Sequence, residues 1–369
     1  MTDPILFQPF QTGNVVLRNR IVISPMCQYS AGPDGLATDY HLVHLGCRAV
    51  GGAGLVMTEA TSVLPHGRLS PRDLGIWDDA HVAPLARIAS FLKEQGAAAG
   101  LQLAHGGRKA AEDTQGREAE RLVGASAIPA GAGWRTPIAL DEAEIRKTID
   151  AFVEGARRAV RAGFDLIELH AAHGYLFHGF LSPIANRRTD AFGGSLENRA
   201  RLLVSVAEAV RRVWTRPRPL WVRLSCVDRA AGGLRIEDSV EVARLLAPWV
   251  DAVDCSSGGI VEGDKVPQKP GFQLPFSRKI RHETGLATCG VGKLTTGLAC
   301  ERALARGDAD VVAVARASLG DPHFPLRAAK ELGVSLPYHR EGLRTRDLYV
   351  RHRDVLRGKL TRFVATKLP

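Results

Sequence analysis

Short apolar runs rich in Val, Ile and Leu recur along the chain, each followed by a loop and a stretch with apolar residues three and four apart. Apolar runs of this length read as buried strands and the wider spacing reads as helix, so the pattern predicts repeated β/α units. Eight runs are present: RIVISPM ending at Met26, GLVMTEA at Ala60, GLQLAH at His105, FDLIELH at His170, LWVRLS at Ser225, AVDCSSG at Gly258, ATCGVG at Gly292 and DVVAVAR at Arg316. Helical spacing covers residues 80 to 95, 141 to 162, 195 to 213, 237 to 247, 295 to 305 and 321 to 331, with shorter stretches at 41 to 50 and 274 to 283. Ser195, Thr295 and Asp321 stand where N-caps are expected, and Gly96, Gly163, Gly307 and Gly333 where helices should stop.

Eight strand–helix repeats predict an α/β chain folded as a (β/α)8 TIM barrel. A doubly wound open sheet alternates in the same way, but it would carry Gly-x-Gly-x-x-Gly after the first strand, where this chain has SPMCQYS. Polar residues also gather at the C-terminal ends of at least six runs, the end where a barrel assembles its active site. The connections 106 to 140 and 173 to 194 exceed simple β-to-α turns and are expected to cap that face. No composition shift or linker divides the chain.

The 369 residues are 45% hydrophobic and 24% charged, an ordinary globular balance. A formal charge of +10 raises nucleic acid or anionic lipid as partners. Much of the excess sits at the end, in Arg344, Arg346, Arg351, Arg353, Arg357, Lys359, Arg362 and Lys367 against Asp347 and Asp354. No aromatic stacking platform accompanies it, so a solvated tail is preferred over a nucleic-acid-binding module. Cys27, Cys47, Cys226, Cys255, Cys289 and Cys300 are scattered without a Cys-x-x-Cys pair, which argues against a zinc or iron–sulfur site and for reduced thiols. Neither a signal peptide nor a membrane span is indicated, and the expected location is cytoplasmic.

The strand ends carry the candidate chemistry. IELHAAHGYLFHGFLSP places His170, His173 and Tyr175 within six residues. Two neutral imidazoles can donate to one carbonyl or nitro oxygen while a phenol delivers a proton; a metal pair or purely structural histidines are the alternatives. His178 fits this set less well and reads as structural. Cys27, at the end of the first run, is a small buried hydrophobe or a thiol able to tune a redox ring. Arg223 lies within an apolar strand, WVRLS, where a charge is costly without a partner and so argues for an anionic ligand. An internal ion pair with Glu59 or Glu168 is the alternative for Arg223 and the preferred reading for Arg108 and Lys109. Gly290, Val291 and Gly292 end the seventh run, and Ala315 and Arg316 the eighth, the usual phosphate site of this barrel.

SPMCQYS, TEATSV, DLGIWDD, LQLAHGGRKA, FDLIELHAAHGYLFHGFLSPIANRRTDAFGGSLENR and VDCSSGG, in this order, resemble the Old Yellow Enzyme family, and its thermophilic-like ene-reductase subclass, from Leu6 to about Gly342. The resemblance implies noncovalent FMN across the barrel mouth, NADPH as donor, and ping-pong hydride transfer to the β-carbon of an α,β-unsaturated carbonyl or nitro compound, or to a quinone. It assigns Ser24, Pro25, Met26, Cys27, Ala60, Gln102 and Arg223 to the flavin, and Gly292, Ala315 and Arg316 to its phosphate. It assigns His170 and His173 to the acceptor's oxygen, Tyr175 to the proton, Tyr29 to substrate contact and Cys27 to potential tuning, with no metal. An iron–sulfur dienoyl-CoA reductase of the wider family is disfavoured by the scattered cysteines, and a flavin-binding barrel without turnover by the His, His and Tyr set.

Two departures stand out. Ala315 replaces the glycine frequent in related sequences, which requires a negative φ there. The chain also continues past Gly342, so residues 1–342 are expected to form the FMN barrel and 343–369 a basic extension. Close relatives end soon after an arginine that reaches the neighbouring subunit's site, which makes Arg340 the candidate for that role and implies a homo-oligomer.

Overall fold

The structure, a computed structural model, describes residues 4–110 and 121–335. Arg340 and the basic extension 343–369 lie outside the described residues.

The chain opens with an antiparallel hairpin, β1 (Phe10–Thr12) and β2 (Val15–Leu17), followed by β3 (Ile21–Ile23). Helix α1 (Asp39–Val50) leads to β4 (Leu55–Ser62), and α2 (Val82–Glu94) to β5 (Ala98–Ala104). Two short paired strands, β6 (Val123–Gly124) and β7 (Ile138–Ala139), precede α3 (Glu142–Arg161) and β8 (Leu166–Ala171). Then come α4 (Leu176–Leu181), α5 (Leu196–Val213), β9 (Leu220–Ser225), α6 (Ile236–Leu246), β10 (Ala252–Ser256) and α7 (Leu274–Thr284). The described chain finishes with β11 (Ala287–Gly290), α8 (Gly297–Ala305), β12 (Val311–Val314), α9 (Arg316–Gly320) and α10 (Phe324–Glu331).

Strands β3, β4, β5, β8, β9, β10, β11 and β12 pair in parallel and close a barrel of eight, one for each apolar run. Because alternate residues point inward, Val22, Leu55, Met57, Leu166, Trp221, Ala252, Cys289, Val311 and Ala313 fill the lower barrel, with Leu17 of the hairpin packed beneath them. The Trp221 indole N–H donates to Thr12 Oγ1 at 3.0 Å, tying that hairpin to the barrel. Opposite faces of the strands meet the apolar stripes of the helices in the outer core, through residues such as Val56, Ile88, Leu101, Phe152, Ile167, Val206 and Leu246. Among the described residues no helix is long and apolar enough to cross a membrane.

The helix boundaries follow the expected punctuation with two corrections. Ser195 Oγ accepts from Asn198 N at 3.3 Å, and Gly96, Gly163, Gly307 and Gly333 adopt φ of 77°, 77°, 69° and 70° past their helices. The cap of α8 is Thr296, whose Oγ1 accepts from Ala299 N, rather than Thr295. Asp321 ends α9 and accepts from His323 N at 3.0 Å, so α10 begins one turn later than expected, with Pro325 in its first turn. The sequence pattern did not predict α4 or α9, each about one turn long, nor the hairpin that closes the barrel's lower end.

Candidate active site at the barrel mouth

Above the packed interior, the C-terminal ends of the strands surround a cavity of about 840 Å³ whose lining includes Lys109, His173, Arg223, Ser256, Gly292 and Arg316. Arg223 forms its floor. Register places Arg223 directly beside Asp254 of β10 and beside His170 of β8. Its Nε stands 3.3 Å from Asp254 Oδ2, and its Nη1 donates to Ser24 Oγ at 2.9 Å. The internal ion pair weighed as the alternative for Arg223 is present, but its partner is Asp254 rather than Glu59 or Glu168. Glu168 lies one layer lower, opposite Trp221, where it accepts from Gln102 Nε2 at 2.7 Å, and burial pushes its carboxyl up to about 8. Burial raises Asp254 as well, with Arg223 opposing, so the buried guanidinium offsets part of the cost of enclosing both carboxyls.

Arg108 and Lys109 also depart from expectation. Arg108 donates to the carbonyls of Pro129 and Ile260, and Lys109 to those of His173 and Gly259, so both serve backbone carbonyls rather than Glu59 or Glu168. Glu59 is occupied elsewhere, accepting from Gln28 N at 2.9 Å and Leu74 N at 3.2 Å. This fastens the loop after β3, which carries Cys27 and Tyr29, onto β4 beside the register shift between Met57 and Ala60.

His170, at the end of β8, and His173 and Tyr175, in the turn after it, converge. Ring centroids are 5.1 Å apart for His170 and His173, 5.0 Å for His170 and Tyr175, and 6.3 Å for His173 and Tyr175. Burial, reinforced by Arg223, holds both imidazoles well below their usual range, so both are neutral. His170 Nδ1 accepts from Ala172 N at 3.4 Å, which leaves the proton on Nε2. Tyr175 is raised by burial and then by Cys27 and Tyr29, and stays a phenol. Burial, then Asp73 and Glu59, push the Cys27 thiol well up, so it is a neutral donor and not a thiolate nucleophile. Tyr29 is 60% exposed at the rim with φ 54°. His178 is structural, bonded to Asp228 Oδ1 at 2.7 Å and Gly174 N at 2.8 Å.

Toward the last strands, Gly292 adopts φ 126°, and a Cβ there would stand 3.1 Å from Gln273 N. Ala315 meets its condition with φ −111°, and Arg316, exposed, starts α9 at the cavity wall. These residues fit a flavin mononucleotide. Buried Arg223 lines the cavity floor as a cation, the φ of Gly292 strains any side chain in that cradle, and Arg316 offers a cation to a phosphate.

Ser24, Arg223, His173, His170 and Tyr175 thus form one connected set, with Gly292, Ala315 and Arg316 across the cavity. Pro25 and Met26 continue the first loop half-buried, and Ala60 and Gln102 are buried at the second and third strands. Sequence reasoning missed Ser256, whose Oγ lies 2.7 Å from His173 Nε2, and Gln273, whose Nε2 donates to Ser256 and Ser257. The paired serines ending the sixth run were a signal for the first; Gln273 sits in a loop with no local signature.

Residues 5–334 match the model of the NADH:flavin oxidoreductase / NADH oxidase family. The chain is 47% identical over 336 residues to the NADPH dehydrogenases of Geobacillus sp. and Geobacillus thermodenitrificans, covering 90% of this chain and 96% of each of those. Among solved structures, morphinone reductase superposes with a TM-score of 0.76 at 30% identity over 91% of either chain. The Old Yellow Enzyme homologue of Zymomonas mobilis gives 0.77 at 28% identity, over 92% of this chain and all of that one. This chain belongs to the NADH:flavin oxidoreductase / NADH oxidase family, the Old Yellow Enzyme family.

Proposed function

We propose that this FMN- and NADPH-dependent oxidoreductase is an ene-reductase, acting on the activated C=C bond of enones and nitroalkenes and also on quinones. The observation that carries the reading is the neutral His170–His173 pair against the Tyr175 phenol at the edge of the cavity. Two uncharged N–H donors suit an acceptor oxygen that is neutral when bound and gains negative charge as the β-carbon receives hydride. Losing a preorganised donor of this kind costs about 3 to 4 kcal/mol of transition-state stabilisation.

FMN supplies the hydride exchange when bound. Ser24, Pro25, Met26, Ala60, Gln102 and Arg223 would hold its ring, with Gly292, Ala315 and Arg316 on its phosphate. Cys27, kept as a thiol, would adjust its potential by hydrogen bonding. His170 and His173 orient the acceptor by its oxygen, so that its β-carbon can receive the hydride. Tyr175 gives its proton to the α-carbon, and Tyr29 contacts the acceptor from the rim. NADPH and acceptor use the same site in turn, a ping-pong cycle. In the same reading residues 1–342 form the catalytic domain, residues 343–369 a basic extension, and Arg340 enters a neighbouring subunit's site.

Steady-state kinetics with NADPH and 2-cyclohexenone test this. The expected result is cyclohexanone in proportion to NADPH consumed, with parallel double-reciprocal lines. Absence of cyclohexanone rejects the ene-reductase reading, and intersecting lines reject the shared site.

A further inference from the structure

Lys109 follows β5 in the short turn Gly107–Lys109 and reaches across the mouth to two other segments. Its Nζ donates to the His173 carbonyl at 3.1 Å and to the Gly259 carbonyl. Those segments touch backbone to backbone. A Cβ at Gly259 would lie 2.7 Å from His173 Cα, and one at Gly174 would lie 2.2 Å from the Gly259 carbonyl oxygen. His173, Gly174 and Gly259 all hold left-handed φ, of 61°, 81° and 84°. For Gly this is free, but a histidine there is strained and persists only when its surroundings fix it. The His173 N–H is fixed by Ser225 Oγ at 2.9 Å, and its carbonyl by Lys109.

We propose that Lys109 is a positioning residue for His173: its ammonium staples the left-handed His173–Gly174 turn onto Gly259 and so sets where the imidazole stands in the cavity. The proposal rests on the reading in which His173 binds the acceptor's oxygen. Charge-assisted donation to two carbonyls is stronger than the neutral kind, so the staple depends on the ammonium form. Burial, with Arg108 adding and Glu262 and Asp264 opposing, brings that ammonium down to about 8. His173, the remaining titratable group against it, is neutral throughout. The staple therefore weakens as pH rises through about 8.

The test uses FMN-loaded Lys109→Met, Gly259→Ala and His173→Ala, with KM and kcat for 2-cyclohexenone from pH 6 to 9.5 and FMN content by absorbance. This acceptor does not titrate, so its pH dependence reports on the protein. In the wild type KM rises above about pH 8. In Lys109→Met it is raised about tenfold at neutral pH, as for one or two lost hydrogen bonds, and the alkaline rise is gone while FMN content is unchanged. Gly259→Ala displaces the same turn by a different route, raising KM at neutral pH with Lys109 in place. If Lys109→Met does not retain FMN, Lys109→Gln takes its place, with the same loss of the alkaline rise expected. Wild-type KM with the alkaline rise intact in the Lys109 variant, alongside a weakened His173→Ala, overturns the role of Lys109. Wild-type KM in His173→Ala overturns the underlying reading of the site instead.

Discussion

His173 Nε2 lies 2.7 Å from the Ser256 hydroxyl, a contact that joins the turn after β8 to the end of β10. Ser256 Oγ also accepts from Gln273 Nε2 at 3.1 Å, which leaves its own proton available to His173 Nε2. When Ser256 donates, the neutral ring carries its proton on Nδ1. With the His170 proton on Nε2, each imidazole has one N–H free for a ligand oxygen.

Ser256→Ala removes this lock on the tautomer. One hydrogen bond of about 1 kcal/mol corresponds to roughly a fivefold change. KM for 2-cyclohexenone is expected to rise by that factor with the flavin spectrum unchanged. Unchanged KM would show that His173 is oriented without Ser256.

Tyr175→Phe removes the proposed proton donor while keeping the ring that packs on His170. A positioned general acid contributes on the order of 10²-fold or more. In rapid mixing, the flavin is expected to bleach with NADPH at the wild-type rate and to recolour with enone at least about 100-fold more slowly. Equal recolouring rates would mean that the proton comes from elsewhere.

Gly292→Ala forces a Cβ into φ 126° and to within 3.1 Å of Gln273 N. Strain of roughly 1 to 3 kcal/mol at this cradle is expected to weaken FMN binding about tenfold or more, measured by fluorescence titration of the apoprotein. Wild-type affinity would remove Gly292 from the cofactor site.

Stability should carry the signature of the buried neutral histidines. Burial brings His105 down to about 3, and His170 and His173 well below their usual range, while the unfolded value is near 6.5. For such groups the unfolded chain binds the extra protons, so their contribution is full above pH 6.5 and is lost as pH falls toward the folded values. Glu59 and Glu168, both raised to about 8, act oppositely: their contribution is full below about 4.5 and is lost as pH rises through 8. Calorimetry in buffers of different ionisation enthalpy should therefore detect fewer protons taken up on unfolding at pH 5.5 in His105→Gln than in the wild type, because the unfolded wild-type chain protonates a ring that is neutral when folded. Equal uptake in the two proteins would contradict the neutral assignment of His105.

The eight strands were legible because each is a short apolar run ended by polar residues, and run length together with the wider spacing of the helices separates the two. The short hairpin under the barrel, α4 and α9 were not, since elements of one turn or three residues carry too little pattern to read. At the site, His170, His173 and Tyr175 are neighbours in sequence and also meet in space. Arg223 was legible as a charge needing a partner, but Asp254 as that partner depends on register between β9 and β10. Lys109, Ser256 and Gln273 act through contacts between distant loops, where a sequence offers no periodicity to read.

In the proposed cycle one site takes hydride from NADPH and passes it to an activated alkene. Anaerobic double mixing tests it most directly: NADPH first, then 2-cyclohexenone after excess donor is removed, following flavin absorbance. The expected result is full bleaching by NADPH alone, then full recolouring with one cyclohexanone formed per flavin. Bleaching that no enone, nitroalkene or quinone reverses would contradict it.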